Sequence, residues 1–228
     1  MNKLGFIAFA TLVGALISAT PGSAQSVAFR GTGGNAGGGN SGEGACPVTY
    51  QQLKSAMGVV VPGGLGNPMW GVVVNRNGTV CAVAYSGATV TSQWLLSRQI
   101  AAAKAFTTNG LSLKNHPIPT IALDPLVQPG AGLFNVAFGN IQDAAAAYKG
   151  PFSSWGTQND PMVGNRIGGT ITFGGGVPLV AATGAEPVGG LGVSGDTACR
   201  DDRFSRAVRG KLGLDKVSDG TPCVDPAN

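Results

Sequence analysis

Charge is scarce in this sequence. Only 11% of its 228 residues are Asp, Glu, Lys or Arg, and 15 bases against 11 acids leave a net charge of +4. The bases are spread along the chain rather than gathered into a run, which argues against a nucleic-acid surface. So few acids give little support to paired-carboxylate chemistry. There is one histidine, His116, and no C-x-x-C among the four cysteines, so neither a zinc site nor a dithiol centre is expected. The N-terminal apolar run, Leu4 to Ile17, falls short of the ~20 residues a helix needs to cross a bilayer, so no transmembrane anchor is expected.

That run has the parts of a secretory signal peptide. Lys3 precedes it, and the small residues of Thr20-Pro21-Gly22-Ser23-Ala24 follow. Cleavage after Ala24 leaves 204 residues, enough for one domain with a core and short for two. No cysteine stands at the new N-terminus to take a lipid. The expectation is a soluble protein that is secreted or periplasmic. Residues 25–45 carry the low-complexity stretch Gly31 to Gly44 and read as a flexible segment. A single domain spans 46–228.

An exported chain with four cysteines implies two disulfides, for which three connectivities exist. Cys199 opens the last helix and Cys223 follows it, which makes them natural partners. Cys46 and Cys81 then remain for each other.

Tyr50, Leu53 and Met57 share one side of a short helix over 48–57. Met69 to Val74 and Thr79 to Tyr85, joined by Asn75-Arg76-Asn77-Gly78, read as a hairpin covered on both faces, because both runs are nearly all apolar. A helix is expected over 92–109, with Ser92 and Gly110 as caps. Its alanines, Ala101 to Ala103 and Ala105, permit close approach to a sheet or to a partner helix. Residues 111–167 are rich in Pro, Gly and Asn, with one helical patch at Ile141 to Tyr148. They form either a functional loop or a surface excursion pinned by Phe134, Phe138, Phe152 and Trp155. Further on come a strand at Thr170 to Phe173, a Gly176-Val177-Pro178 turn, a strand, a turn at Thr183 to Glu186, and a last strand. A helix follows whose apolar face is Phe204, Ala207, Val208 and Leu212, ending at Gly213.

Two motifs invite a functional reading. Gly190-Leu191-Gly192-Val193-Ser194-Gly195 fits G-x-G-x-x-G, but no strand run follows the helix to complete a βαβ unit, so nicotinamide binding is rejected. Close strand-to-helix packing, with Asp196 capping the helix, explains these glycines better. Gly192-Val193-Ser194-Gly195 is similar to a nucleophile elbow, but Asp196 stands where the second glycine belongs. Nothing in the sequence brings Ser194 to His116.

Gly174-Gly175-Gly176-Val177-Pro178-Leu179, followed by Val188-Gly189-Gly190-Leu191-Gly192-Val193-Ser194-Gly195-Asp196, resembles the signature of the GlcG/HbpS haem-binding family. Lys104-Ala105-Phe106-Thr107 resembles its second mark, Lys-Ala-x-Thr on a helix after the first hairpin. Asn75 stands where the family usually has Asp. The resemblance covers roughly residues 48–212, with a longer insertion at 111–167, and Asp160-Pro161-Met162-Val163-Gly164 with the cysteines looks like an exported branch.

The resemblance implies an α+β fold: an α/β/α sandwich around a five-stranded antiparallel sheet, profilin-like in topology. It implies a homo-oligomer. It implies haem, or another small planar ligand, for sensing, storage or slow degradation. A haem site needs an apolar slot and cations for the propionates, and can add an axial ligand. Lys104, Arg98 and Arg166 are the candidate cations, and Thr107 the motif residue at the pocket. His116, Met57, Met69, Met162 and the tyrosines are the candidate iron ligands. The expectation places the pocket on the Lys104–Thr107 helix, with His116 a loop residue fixed by Pro117. The alternatives are a ligand-free structural or interaction domain of the same fold and, third, an enzyme using the Ser194 corner.

Overall fold

The first hairpin is the centre of the sheet's pairing. Strand β1 (Trp70–Asn75) runs antiparallel to β2 (Val80–Tyr85) on one side and to β4 (Gly189–Ser194) on the other. Strand β3 (Gly176–Leu179) closes the far edge, giving the order β2-β1-β4-β3. The computed structural model describes residues 44–224. The expected signal peptide at 1–24, and the Gly-rich segment up to residue 43, lie outside the described residues.

Gly78 turns the hairpin at φ 76°, a left-handed value that costs glycine nothing. Asn75 holds the same turn, its Oδ1 accepting from the N–H groups of Asn77 and Thr79 at 3.0 Å each. Every residue of β1 is buried. The pleat sends Trp70, Val72 and Val74 to one side, where they meet Ala101, Ala102 and Ala105 of helix α2 (Ser97–Leu111). It sends Val73 to the other, where Leu53 and Met57 from helix α1 (Tyr50–Ala56) and its C-cap pack with Phe204 and Val208 of helix α5 (Ala198–Lys211). The hairpin is covered on both faces, as its apolar runs predict.

Helix α1 begins with a capping box. The Gln52 N–H donates to Thr49 Oγ1 and the Thr49 N–H donates to Gln52 Oε1. Gly213, at φ 69°, follows α5 as expected. Both disulfides form as expected: Cys46–Cys81 with Cα atoms 5.5 Å apart, Cys199–Cys223 at 4.9 Å. Among the described residues no helix is long and apolar enough to cross a membrane.

Several expectations need correction. The described residues contribute four strands rather than five. Thr170 to Phe173 is not a strand, because side chains take its polar groups. The Ile171 N–H donates to Thr107 Oγ1, and Thr170 Oγ1 accepts from Asn140. The expected turn at Gly176-Val177-Pro178 is itself β3, with Pro178 tolerated because β3 is an edge strand. Helix α2 starts at Ser97, not Ser92, whose hydroxyl instead accepts from the Thr89 N–H. Gly110 lies inside α2, and Ser112 caps it. Thr197, not Asp196, caps α5, its side chain accepting from the Arg200 N–H.

The alanines of α2 are fully buried, Ala101, Ala102 and Ala105 in the cluster with β1 and Ala103 beside Gly169. The fold itself, not a second copy, covers them, so they supply no surface for self-association. The 111–167 excursion holds a 3-10 stretch at Thr120–Val127 and two single-turn helices, α3 (Val136–Gly139) and α4 (Ala144–Ala147). Its pins are Ala146, Ala147, Met162 and Ile167, with Trp155 packed beside them. Phe138, expected as a pin, is 74% exposed and pairs edge-on with Phe134.

Candidate ligand site

The glycines of the two motifs are placed by close packing. A Cβ on Gly192 would lie 1.9 Å from the Ala101 carbonyl oxygen, and one on Gly190 would lie 2.3 Å from that of Ala105. Both glycines therefore let α2 lie directly on β4. The sheet has no parallel strand pair, so the βαβ unit of a dinucleotide site is missing among the described residues. Gly174 and Gly175 thread between α5, Val193 and Lys104. A Cβ on Gly174 would lie 2.1 Å from the Ala198 oxygen, and one on Gly175 2.3 Å from that of Val193.

Beneath this crossing sits a buried ion pair that sequence reasoning missed. Lys104 Nζ donates to Asp201 Oδ2 at 2.7 Å and to the Val193 carbonyl at 3.0 Å, and lies 4.6 Å from the Phe173 ring centroid. Lys104 is 0% exposed and Asp201 1%. Asp201 Oδ1 accepts from the Asp196 N–H. Asp196 in turn accepts from the N–H groups of Leu65 and Asn67 at 2.7 and 2.9 Å, fixing the 63–67 loop. Burial pushes the Asp201 carboxyl up to about 6 against the opposing pull of Lys104, and burial lowers Lys104 against the pull of Asp201. A lysine at a motif position is a signal, but only the fold shows that its partner is Asp201, 97 residues away.

The other residues singled out in the sequence are dispersed. Arg98 is buried and paired with Asp160. Thr107 is buried, its hydroxyl donating to the Ala103 carbonyl. Arg166 is exposed, its Nε donating to the Asn77 carbonyl. Met57, Met69 and Met162 are all buried. Ser194 is buried at one end of β4, whereas Gly189, at the other, pairs with Leu179. His116 belongs to a loop whose neighbours adjoin Val180, beyond Leu179. The strand length between the two ends is roughly 16 Å, so Ser194 and His116 are not brought together.

His116 is exposed, flanked by Asn115 and Pro117, and both of these line a groove of about 540 Å³. Three segments wall it. Leu113 and His116 exchange backbone hydrogen bonds of 3.0 Å each, closing a tight turn with Asn115 at φ 57°. The β3–β4 turn supplies Val180, Thr183, Gly184 and Ala185. The tail supplies Asp215 to Ser218, held by the Val180 N–H to the Leu214 carbonyl and the Lys216 N–H to the Val180 carbonyl. A second hollow, about 390 Å³, lies between α1 and the end of α5 and is lined mainly by Gln51, Gln52, Ser55 and Lys211. No group of three or more metal-ligating side chains occurs among the described residues.

A family model described as haem degrading protein HbpS-like matches residues 63–209. No curated protein matches the chain. Three solved structures are similar over most of it. Protein ORFY from Klebsiella pneumoniae is 19% identical, covering 71% of this chain and 86% of its own, at a TM-score of 0.47. The PduOC:heme complex is 22% identical, covering 71% and 89%, at 0.44. A double mutant of HbpS from Streptomyces reticuli is 22% identical, covering 79% and 97%, at 0.45.

Proposed function

The chain belongs to the HbpS-like family, and on that premise we propose that it is an exported haem-binding protein. The family match over 63–209 carries this reading. The two disulfides support export, since such bonds persist in oxidising compartments. The chemistry of the surface is compatible with the ligand. The 540 Å³ groove is within the range of small-molecule sites, and sets Leu113, Pro117, Val180 and Val217 beside Lys216. Apolar walls suit a porphyrin ring; Lys216, paired with Asp215 at 3.2 Å, would exchange that carboxylate for a propionate. Haem, when bound, would supply the redox and oxygen chemistry; the chain supplies the seat. Sensing, storage and slow degradation are the roles this reading allows.

Lys104 and Thr107 remain the family-motif residues of this proposal, but their reach is limited. Lys104 meets a propionate only if it leaves Asp201 and the core. Of Lys104, Arg98 and Arg166, Arg166 is the one at the surface. The three-layered α/β/α arrangement is proposed from two separate apolar clusters, one under α2 and one under α1 and α5. The test is a haemin titration of the purified full chain. A saturable Soret band at a one-to-one ratio is expected, and its absence at micromolar protein refutes the reading.

One observation favours a second reading, a ligand-free interaction domain of the same fold. Lys104 and Arg98 are both committed to buried carboxylates, while Trp94, Leu96, Phe138 and Ile141 stand more than half exposed. Self-association is part of either reading and is carried by such exposed apolar side chains rather than by the α2 alanines. Light scattering at micromolar concentration is expected to give a multiple of the chain mass; a monomer mass removes the oligomer from both readings.

A further inference from the structure

We propose that the Arg206–Arg209 side of helix α5 is a binding site for an extended, carboxylate-bearing segment. The chain's own tail, residues 214–223, fills that site, and the Cys199–Cys223 bond keeps it filled. Residues 199, 202, 206 and 209 recur at helical spacing and share one face of α5, whereas Phe204 and Val208 turn to the core. The tail runs back along that face. The Leu214 N–H donates to the Arg209 carbonyl at 3.2 Å, Arg206 donates to the Gly220 carbonyl at 3.2 Å, and the Cys223 N–H donates to Asp202 at 3.0 Å. These bonds use the tail's backbone and ignore its sequence. Asp219 supplies the specific contact. Its carboxylate accepts from both Nη groups of Arg209, at 2.6 and 3.1 Å, and from Arg206 Nη1 at 2.8 Å, the grip of a planar fork on an acid.

The fork is set by groups outside the tail. Arg209 Nη1 also donates to the Pro178 carbonyl of β3 at 3.2 Å, and Arg206 Nε donates to Asp202 Oδ2 at 3.0 Å. The Arg209 side chain is 6% exposed. Arg206 Nη2 and Arg209 Nε are buried with no protein partner, so Asp219 does not exhaust the donors. The tail is a weak occupant by itself. From Ser218 to Val224 no side chain joins an apolar cluster, and Ser218, Gly220, Thr221 and Pro222 are exposed. The Cys199–Cys223 bond closes this segment on α5 and raises its effective concentration there. A thiol reductant opens it. One thiolate attacks a sulfur, a second resolves the mixed disulfide, and two cysteine thiols and an external disulfide result. The opened tail must then compete with other carboxylate-bearing segments.

Fluorescence anisotropy with a labelled peptide of the tail sequence, Leu214 to Pro222, tests the site; the same peptide carrying Asp219→Asn is the control. In the protein, Cys199→Ser with Cys223→Ser opens the tail and leaves Cys46–Cys81 intact, and adding Asp219→Asn removes the internal competitor. Circular dichroism checks each fold, and dithiothreitol on the Asp219→Asn protein opens the same bond with no cysteine replaced. The triple variant is expected to bind the peptide at least about tenfold more tightly than oxidised Asp219→Asn protein does, and at least about tenfold more tightly than it binds the control. Hydrogen exchange at 214–224 is expected to quicken at least about tenfold in the double cysteine variant. Unchanged exchange there shows that the bond does not hold the tail. Equal binding of the two peptides, or no binding by the triple variant, shows that α5 carries no carboxylate site. Each of these results overturns the proposal, and none of them depends on haem.

Discussion

Removing one partner of the Lys104–Asp201 pair should destabilise the protein by about 3–5 kcal/mol, because a charge is then left alone in the core. Asp201→Leu strands the ammonium among Val193, Phe173 and the helix backbone. Lys104→Met strands the carboxylate. The double variant carries no buried charge and should return to within about 2 kcal/mol of wild type, losing mainly the neutral hydrogen bonds of the Val193 carbonyl and the Asp196 N–H. Urea unfolding of the four proteins measures this directly. Additive single effects would show that the two side chains do not act as a pair.

The pH dependence has a defined sign. The folded-state carboxyl of Asp201 sits at about 6, above its ordinary 3.8, so the folded protein holds this proton more tightly than the unfolded chain. Its contribution to stability is complete below the unfolded value and is lost as pH rises through about 6. Lys104 is shifted down, so its contribution is present above its ordinary value of 10.5 and lost as pH falls through the folded one. Between pH 4 and pH 7 the Asp201 contribution is the one that is lost, so the buried pair costs the folded protein more as pH rises through about 6. The stability of the double variant relative to wild type should accordingly improve between pH 4 and pH 7.

The same pair marks how far the sequence could be read. The hairpin was legible because Asn77-Gly78 lies between two apolar runs, a local signal with a local cause. The disulfides were legible because Cys199 and Cys223 flank one helix. The G-x-G-x-x-G match was correctly set aside, yet the reason for its glycines lay in a non-local fact, the seating of α2 on β4 through Gly190 and Gly192. Thr170 to Phe173 has strand chemistry in its β-branched residues, but tertiary hydrogen bonds from Thr107 and Asn140 claim its polar groups. Lys104 and Arg98 read as pocket cations open to a propionate, because a charge is seldom sealed in a core. Their carboxylate partners are 97 and 62 residues away and no spacing announces them. His116 looked like a loop residue and is one; what the sequence could not show is that its loop walls the larger of the two hollows described.

Asp160→Ala should release the second half of the excursion and cost about 3–5 kcal/mol, comparable with the loss at Asp201 but different in kind. Asp160 Oδ2 accepts from Arg98 Nε at 3.1 Å and from the Gly156 N–H at 2.6 Å, and Oδ1 accepts from the Met162 N–H at 2.8 Å and from the Arg98 Nη2 group. Arg98 also donates to the Ala147 carbonyl and stacks 4.4 Å from the Trp155 ring. One carboxylate thus folds residues 156–162 about itself and bolts them to α2, while the same guanidinium holds α4. Without it, Gly156 and Met162 lose their acceptor and Arg98 is left charged against Trp155. The loss should begin locally, since the excursion contributes no strand to the sheet. Native-state hydrogen exchange is expected to quicken first at the amides of 146–165, with β1 and β4 protected until global unfolding. Brief native proteolysis should cut the same stretch. Uniform loss of protection across the sheet and the excursion would show instead that Arg98 and Asp160 belong to the core's single cooperative unit, and that the excursion has no independent opening.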